Sequence, residues 1–291
     1  MIPAAFDYHR PASLADALSV LDELGWDAKL LAGGQSLIPA MRFRLAEPTA
    51  IVDLNGLAEL ERFEEADGYL HIGALVRHAT IADSGLARER YPLLADAAAV
   101  IADPLVRNRG TVGGSLIHAD PAGDWGSVML AYRAELAVRR VDGDRIVPID
   151  ELFVTTFMTS LEPSELVTSV RIPAAGTGQG GAYEKLERKV GDFATVGVAA
   201  QIALAPDGTV GAVGIGLTAV GATNLRAAAA EQELLGSSAD EAAIASAAAR
   251  AAAESNPSAD GRGSEEYKRD MVRVLTARAL RRSVERARGT V

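Results

Sequence analysis

The sequence predicts an α+β protein whose first domain has two parts, a small β-α-β subdomain and a mixed-sheet subdomain, followed by an antiparallel sheet with a helical layer. Three observations carry this. Apolar strand-like runs and helical patterns alternate near the N-terminus, as in a β-α-β unit. A small, glycine-rich stretch from Ala174 to Gly181 has the composition of a linker. Beyond it strands come in succession and helices follow them, the order of an α+β domain. The resulting boundaries are 1–174 for the first domain (subdomains about 1–55 and 56–174), 175–182 for the linker and 183–291 for the last domain.

In chain order, Ser13 and Asp16 form a capping-box-like pair. Leu14, Ala17, Leu18, Leu21 and Leu24 then recur at helical spacing up to Gly25, a stop signal. Ala28 to Ala32 reads as a short buried strand, Leu37 to Leu45 as a helix and Ile51 to Leu54 as a second strand. Tyr69 to Ala74 alternates as a strand does, while Thr80 to Ser84 and the alanine-rich Tyr91 to Ala102 read as helices, the second broken by Asp103-Pro104. Asp124 to Ala134 is helical, and Glu135 to Val141 is a strand turning at Asp142-Gly143 into Arg145-Ile146-Val147. Leu166 to Ile172 is the last strand of the first domain. After the linker, Thr195 to Leu204 and Val210 to Val220 form a hairpin across Pro206-Asp207-Gly208, and helices are expected over 225–235, 240–254 and 265–288. The final helix carries an apolar stripe of Tyr267, Met271, Val274, Leu275, Ala279, Leu280 and Val284, with a basic wet face from Arg278 to Arg288.

Two glycine pairs of matched design stand out, Ala32-Gly33-Gly34-Gln35-Ser36 and Thr111-Val112-Gly113-Gly114-Ser115. Glycine lets backbone N–H groups approach a ligand that side chains would exclude. Successive N–H groups in such turns make a concavity suited to phosphate. Two of them suggest two phosphates held between loops, as in a dinucleotide pyrophosphate. Neither pair precedes a Walker lysine and neither is GxGxxG, which disfavours P-loop and nicotinamide Rossmann readings. The net charge of −10 and the lack of a basic stretch argue against nucleic acid. No apolar run is long enough for a transmembrane helix and no signal pattern opens the chain, so a cytoplasmic location is expected. With no cysteine, the chain has no disulfide, thiol nucleophile or iron–sulfur cluster of its own. Its 4 histidines lack metal-ligand spacing, so redox chemistry here must use a bound organic cofactor.

At these glycines the chain resembles the FAD-binding medium subunits of molybdenum hydroxylases, the xanthine dehydrogenase and aerobic carbon monoxide dehydrogenase group. The match runs through Leu31 to Pro39, through Ile101 to Ser115, and on to Ala119-Asp120-Pro121-Ala122-Gly123-Asp124. Phe6 to Pro11, Tyr183 to Thr195 and Ser258 to Gly263 extend it over essentially the whole chain, toward the carbon monoxide dehydrogenase branch. The resemblance implies that Ala32, Gly33, Gly34, Gln35, Ser36 and Leu37, with Thr111, Gly113, Gly114 and Ser115, wrap the FAD pyrophosphate, mostly through backbone N–H groups. Ser36 and Ser115 would add hydroxyl donors; many relatives carry Asn at the latter position. Asp124 matches an acidic position that binds FAD through a hydroxyl, and it also reads as a helix N-cap. Ile101 and Leu161 match backbone positions lining the cofactor, and Phe193 stands where relatives carry Tyr or Ile against the flavin ring. Lys185 reads either as a cation beside the flavin N1–C2=O edge or as a solvated surface lysine. His118 reads as a ring contact or as a structural histidine. No residue takes a catalytic or metal-binding role.

The implied function is electron relay in a complex. A large subunit with the molybdenum cofactor would oxidise substrate, and a small subunit with two [2Fe–2S] clusters would pass electrons to FAD on this chain. An external acceptor, quinone or oxygen, would take them from there. Such complexes are dimers of heterotrimers, and any membrane association would come through the complex. Carbon monoxide is the leading substrate; an N-heterocycle, purine or aldehyde dehydrogenase complex is the alternative. A standalone FAD oxidase is disfavoured, because cysteine is absent and no histidine adjoins the first glycine pair. A dinucleotide-sensing regulator is the remaining rival.

Overall fold

The computed structural model describes residues 2–290. It opens with β1 (Asp7–His9), α1 (Leu14–Leu24), β2 (Ala28–Leu31), α2 (Leu37–Arg42) and β3 (Ala50–Asp53). The strands make a parallel sheet in the order β1-β3-β2. Ser13 caps α1 by accepting from the Asp16 N–H, and Gly25 ends it with a positive φ of 52°. Leu14, Ala17, Leu18 and Leu21 then face Val52, Leu54 and Leu60 in one apolar cluster. β1 carries no periodic signal because it is three mostly exposed residues at a sheet edge. α2 stops at Arg42 rather than Leu45, because Arg44 turns to φ 56°.

The second unit contains β4 (Phe63–Ala66), β5 (Tyr69–Gly73), α3 (His78–Ala82), α4 (Gly85–Arg90), α5 (Pro92–Val100), α6 (Pro104–Arg107), α7 (Val112–His118) and α8 (Asp124–Tyr132). It continues with β6 (Glu135–Arg140), β7 (Gly143–Pro148), β8 (Phe153–Thr155), β9 (Met158–Thr159) and β10 (Leu166–Pro173). Its five-stranded sheet has the order β4-β5-β10-β6-β7. The α+β class stands, but every pairing here is antiparallel, which corrects the mixed pairing expected of this subdomain. Two hairpins account for it: β4 turns into β5 through Asp67-Gly68, both at positive φ, and β10 returns between the hairpins. A further correction concerns the second glycine pair. Gly113 and Gly114 lie in the first turn of α7, capped by the Thr111 hydroxyl, and are not a loop.

The chain ends with β11 (Gln179–Leu186), β12 (Val196–Leu204), β13 (Val210–Thr218), β14 (Leu225–Arg226), α9 (Ala228–Leu234), α10 (Glu241–Glu254) and α11 (Glu265–Ala287). The strands form an antiparallel sheet in sequence order. β11 begins inside the stretch expected to be a linker, where Gln179 to Ala182 pair with Ala200 to Ala203. Its glycines serve close packing: a Cβ at Gly180 would collide with the Ser283 carbonyl of α11, and one at Gly181 would collide with the Gln201 side chain. The helix expected from residue 225 starts at Ala228, because Leu225–Arg226 pair with Gly216 and Leu217 instead. The buried stripe of α11 runs through Lys268, Val272, Leu275, Thr276, Ala279, Leu280, Ser283 and Val284, while Tyr267 is exposed. Its basic face is not simply wet, since Arg282 and Arg286 both pair with Asp96 of α5.

α8 is the hinge pin of the packing. Every one of its residues is buried, and it lies flat on β13 because Gly214 and Gly216 leave no Cβ against its backbone at Ala131 and Ser127. Trp125, Val128 and Met129 join the core under the five-stranded sheet. Among the described residues no helix is long and apolar enough to cross a membrane.

Candidate cofactor site

The first glycine pair sits where β2 ends, beside the C-terminal end of β3, before α2 begins. Gly34 has φ 75°, a conformation L side chains rarely adopt, and it reverses the chain there. Among the described residues, the N–H groups of Gly33, Gly34, Gln35, Ser36 and Leu37 meet no protein acceptor; the next, Ile38 N–H, donates to Gly34 O at 3.1 Å. Five successive uncommitted donors around a left-handed turn have the form of a concavity suited to an anion.

The second pair behaves differently, which corrects the expectation of donors from both. Val112 N–H donates to Val76 O (3.0 Å), Gly113 N–H to Ala74 O (3.1 Å) and Ser115 N–H to Thr111 O (3.0 Å). Gly114 N–H donates to the Thr111 hydroxyl at 3.1 Å. Only the Thr111 N–H in this run has no acceptor among the described residues. The pair supplies shape instead. A Cβ on Gly113 would come 2.7 Å from Ala74 Cβ, and one on Gly114 would come 2.7 Å from Thr111 Oγ1 and 3.4 Å from Ala32 Cβ. Buried Gly33 closes the contact from the other side: a Cβ there would collide with the Arg109 carbonyl and sit 2.7 Å from Gly110 Cα. The two pairs therefore face each other across a gap that only glycine permits.

Four residues outside the glycine pairs hold this gap, and of them only Tyr8 lies in a segment that carried the resemblance, Phe6 to Pro11. Tyr8 Oη donates to Asp53 Oδ2 at 2.6 Å, and Asp53 Oδ1 accepts from Asn55 Nδ2 at 2.6 Å. Asn55 Nδ2 also donates to Ala32 O at 2.8 Å, while Arg77 donates to Asn55 Oδ1 at 2.6 Å and to the Arg109 carbonyl. Burial alone would raise the Asp53 carboxyl, but hydrogen bonds from Tyr8 and Asn55 outweigh it and hold the group below the usual carboxylate range. The only signal in the sequence was position: Asp53 and Asn55 flank the C-terminal end of a parallel strand, where open α/β sheets place ligands.

His78 props Gly110 from beneath. Its Nδ1 accepts from Trp125 Nε1 at 3.0 Å, and a Cβ on Gly110 would come 2.6 Å from its Nε2. Burial first, then the charges of Arg77 and Arg107, push its pKa from the ordinary 6.5 down to about 4. The folded state therefore holds fewer protons than the unfolded chain between these values. The stability His78 provides is whole above pH 6.5 and disappears as pH falls to about 4, a loss of about 3 kcal/mol. Urea unfolding at stepped pH should show this slope in the wild type, and His78→Gln, which keeps an acceptor for Trp125, should flatten it.

Asp124, Lys185, Ile101 and the loop that carries Phe193 gather at a second rim. Asp124, at the start of α8, is 7 % exposed and accepts from Tyr183 Oη (2.6 Å) and Lys185 Nζ (3.0 Å). Burial raises the Asp124 pKa, opposed by Lys185 and Tyr183. The Lys185 side chain is 3 % exposed and also donates to Val100 O at 3.1 Å, so the solvated reading of this lysine is overturned. The Ile101 and Ala102 carbonyls are both held at 2.9 Å by Arg107. The loop after β11 docks on them through Gly191, whose Cβ would come 3.1 Å from Ala102 O, and it presents Phe193 half exposed. Ser115 lies toward this rim, since a Cβ on Gly123 would come 3.8 Å from its hydroxyl. His118 packs against Phe157 with ring centroids 5.0 Å apart. Leu161 packs on the main core, and among the described residues no hydrogen bond joins it to the glycine pairs.

A row of uncommitted N–H groups thus faces a second glycine segment in an α+β protein, with Asp124 buried at the start of α8. Comparison with known proteins gives the family. A family profile described as the FAD binding domain in molybdopterin dehydrogenase matches residues 4–175, and one described as the CO dehydrogenase flavoprotein C-terminal domain matches residues 181–283. The carbon monoxide dehydrogenase medium chain of Hydrogenophaga pseudoflava is 41% identical over 280 residues, covering 96% of this chain and 97% of its own. The 6-hydroxypseudooxynicotine dehydrogenase complex subunit alpha of Paenarthrobacter nicotinovorans is 38% identical, covering 100% of this chain and 98% of its own. A solved structure of carbon monoxide dehydrogenase from Hydrogenophaga pseudoflava superposes with TM-score 0.94 at 43% identity, covering 98% of this chain and 99% of that one. The chain belongs to the FAD-binding medium-subunit family of molybdenum hydroxylases, and it is an oxidoreductase subunit carrying an FAD-binding domain.

Proposed function

We propose that the chain holds FAD at the facing glycine pairs and relays electrons from [2Fe–2S] clusters of a small partner subunit to an external acceptor. Substrate, with carbon monoxide the leading candidate, is oxidised on a large molybdenum subunit. The observation that carries the reading is the row of uncommitted N–H groups from Gly33 to Leu37, set against Gly110 to Gly114. This row fits a pyrophosphate, since it offers donors in series and opens with two glycines that carry no side chain. Gln35 and Ser36 are exposed at the mouth, and Ala32, Thr111 and Ser115 line the opposing walls.

Bound FAD supplies an exchange between one-electron and two-electron partners. The protein's own residues bind and orient. Asp124 has a carboxylate with lone pairs beyond the two hydrogen bonds it accepts, enough for one cofactor hydroxyl. Lys185 fixes that carboxylate to the Val100 carbonyl, and Arg107 fixes the neighbouring carbonyls of Ile101 and Ala102. Phe193 offers an apolar face without a phenolic donor. The 6-hydroxypseudooxynicotine dehydrogenase relative keeps an N-heterocycle substrate as the second reading.

Adding carbon monoxide to the complex assembled with its own large and small subunits should bleach the visible absorption band of the oxidised flavin. Bleaching by an N-heterocycle or purine and not by carbon monoxide would remove the substrate assignment alone. Reduced clusters beside a flavin that stays oxidised would remove the relay.

A further inference from the structure

We infer that Arg77 and Asn55, backed by Asp53 and Tyr8, are positioning residues that set the width of the pyrophosphate cradle. The inference rests on the FAD reading above and deepens it. One carboxamide and one guanidinium tie the two walls of the cradle together. Asn55 Nδ2 holds the carbonyl of Ala32, on the wall that carries the free N–H groups, at 2.8 Å. Arg77 holds the carbonyl of Arg109, on the opposing wall, and reaches Asn55 Oδ1 at 2.6 Å with its other terminal nitrogen. Planar guanidinium geometry allows this two-armed bridge, and a lysine ammonium has no second arm with fixed direction.

The orientation of Asn55 is set from behind. Asp53 Oδ1 accepts from both its backbone N–H (2.9 Å) and its Nδ2 (2.6 Å), which places the Asn55 carbonyl toward Arg77. Tyr8 Oη occupies the other Asp53 oxygen at 2.6 Å. The chain of bonds thus runs from an exposed tyrosine on the edge strand to both walls. Two further contacts show that the width matters. Gly33 lies against the Arg109 carbonyl with no room for a Cβ, and Ala32 Cβ lies near Gly114. Withdrawal of the Arg77 bridge frees the Arg109 carbonyl to turn toward the cradle, where it would face phosphate oxygens with like partial charge.

The test uses the assembled complex stripped of flavin and titrated with FAD, ADP and riboflavin. Arg77→Lys and Asn55→Leu should weaken FAD and ADP by the same factor, about tenfold or more, because both ligands present the pyrophosphate. Riboflavin, which lacks it, should be unaffected, and the melting temperature of the flavin-free complex should not move with the loss. Tyr8→Phe should give a smaller loss of about two- to threefold. A merely structural role would lower stability and weaken all three ligands alike. Should Arg77→Lys fail to assemble, Asn55→Leu carries the test, since it adds no charge and loses both the donor to Ala32 and the acceptor for Arg77. Equal FAD affinity in wild type and variants would overturn the inference and leave the FAD site standing. A wild-type complex that takes up no FAD would overturn both.

Discussion

Gly33→Ala is expected to give a complex that purifies with little or no FAD, although it adds a single methyl group. The methyl would collide with the Arg109 carbonyl and lie 2.7 Å from Gly110 Cα, and neither backbone atom can swing aside as a side chain would. The walls must separate, at an overpacking cost of about 1–3 kcal/mol. That displacement moves the whole donor row, so FAD affinity should fall about a hundredfold, equivalent to about 2.7 kcal/mol. Gly34→Val and Gly114→Val should also give apo-protein, for separate reasons. The first puts a β-branched residue at φ 75°, and the second pushes on the Thr111 hydroxyl that caps α7. Gly85→Ala is the control, because a Cβ there meets nothing within 4 Å. Flavin content by absorbance after acid release decides the comparison. Full FAD in Gly33→Ala would mean that the two walls do not meet as described.

The second large effect is expected at Lys185. Lys185→Met leaves the Asp124 carboxylate buried with Tyr183 as its remaining partner, and breaking a buried pair in this way costs about 3–5 kcal/mol. Burial already raises the Asp124 pKa, and loss of the ammonium raises it further. A carboxyl with a raised folded pKa binds its proton more readily folded than unfolded, so its deficit is largest at neutral pH and shrinks as pH falls. Urea unfolding of Lys185→Met at neutral and mildly acid pH should show that narrowing. Lys185→Met combined with Asp124→Asn should recover part of the loss, because the Asp124 charge is gone, whereas Glu187, 3.6 Å from Lys185 in the wild type, still lacks its partner. A Lys185→Met protein as stable as wild type at neutral pH would show that the pair is wet.

Much of the fold was legible because its signals are short-range. Ser13 and Gly25 bracket α1, the Pro206-Asp207-Gly208 turn marks the β12–β13 hairpin, and the order of elements after residue 183 gives the α+β class. The failures share one cause, which is that tertiary packing reuses residues whose local propensity says something else. Gly180 and Gly181 read as linker, yet their missing side chains let α11 and Gln201 approach β11. Gly113 and Gly114 read as a loop, yet they start a helix because Thr111 caps it and Ala74 crowds it. The candidate site was legible at the glycines, where chemistry and sequence coincide. Arg77, Asn55 and Tyr8 were not, since they converge from separate elements and no spacing along the chain encodes that convergence.

The division of labour between the two glycine pairs is open to direct measurement by amide hydrogen exchange in the assembled complex, with and without FAD. The N–H groups of Gly33 to Leu37 have no protein acceptor among the described residues, whereas those of Val112 to Ser115 are already bonded. Addition of FAD should therefore slow exchange strongly at 33–37 and change it little at 112–115. Unchanged exchange at 33–37 in a complex that has bound FAD would contradict the proposal that this row of donors holds the pyrophosphate.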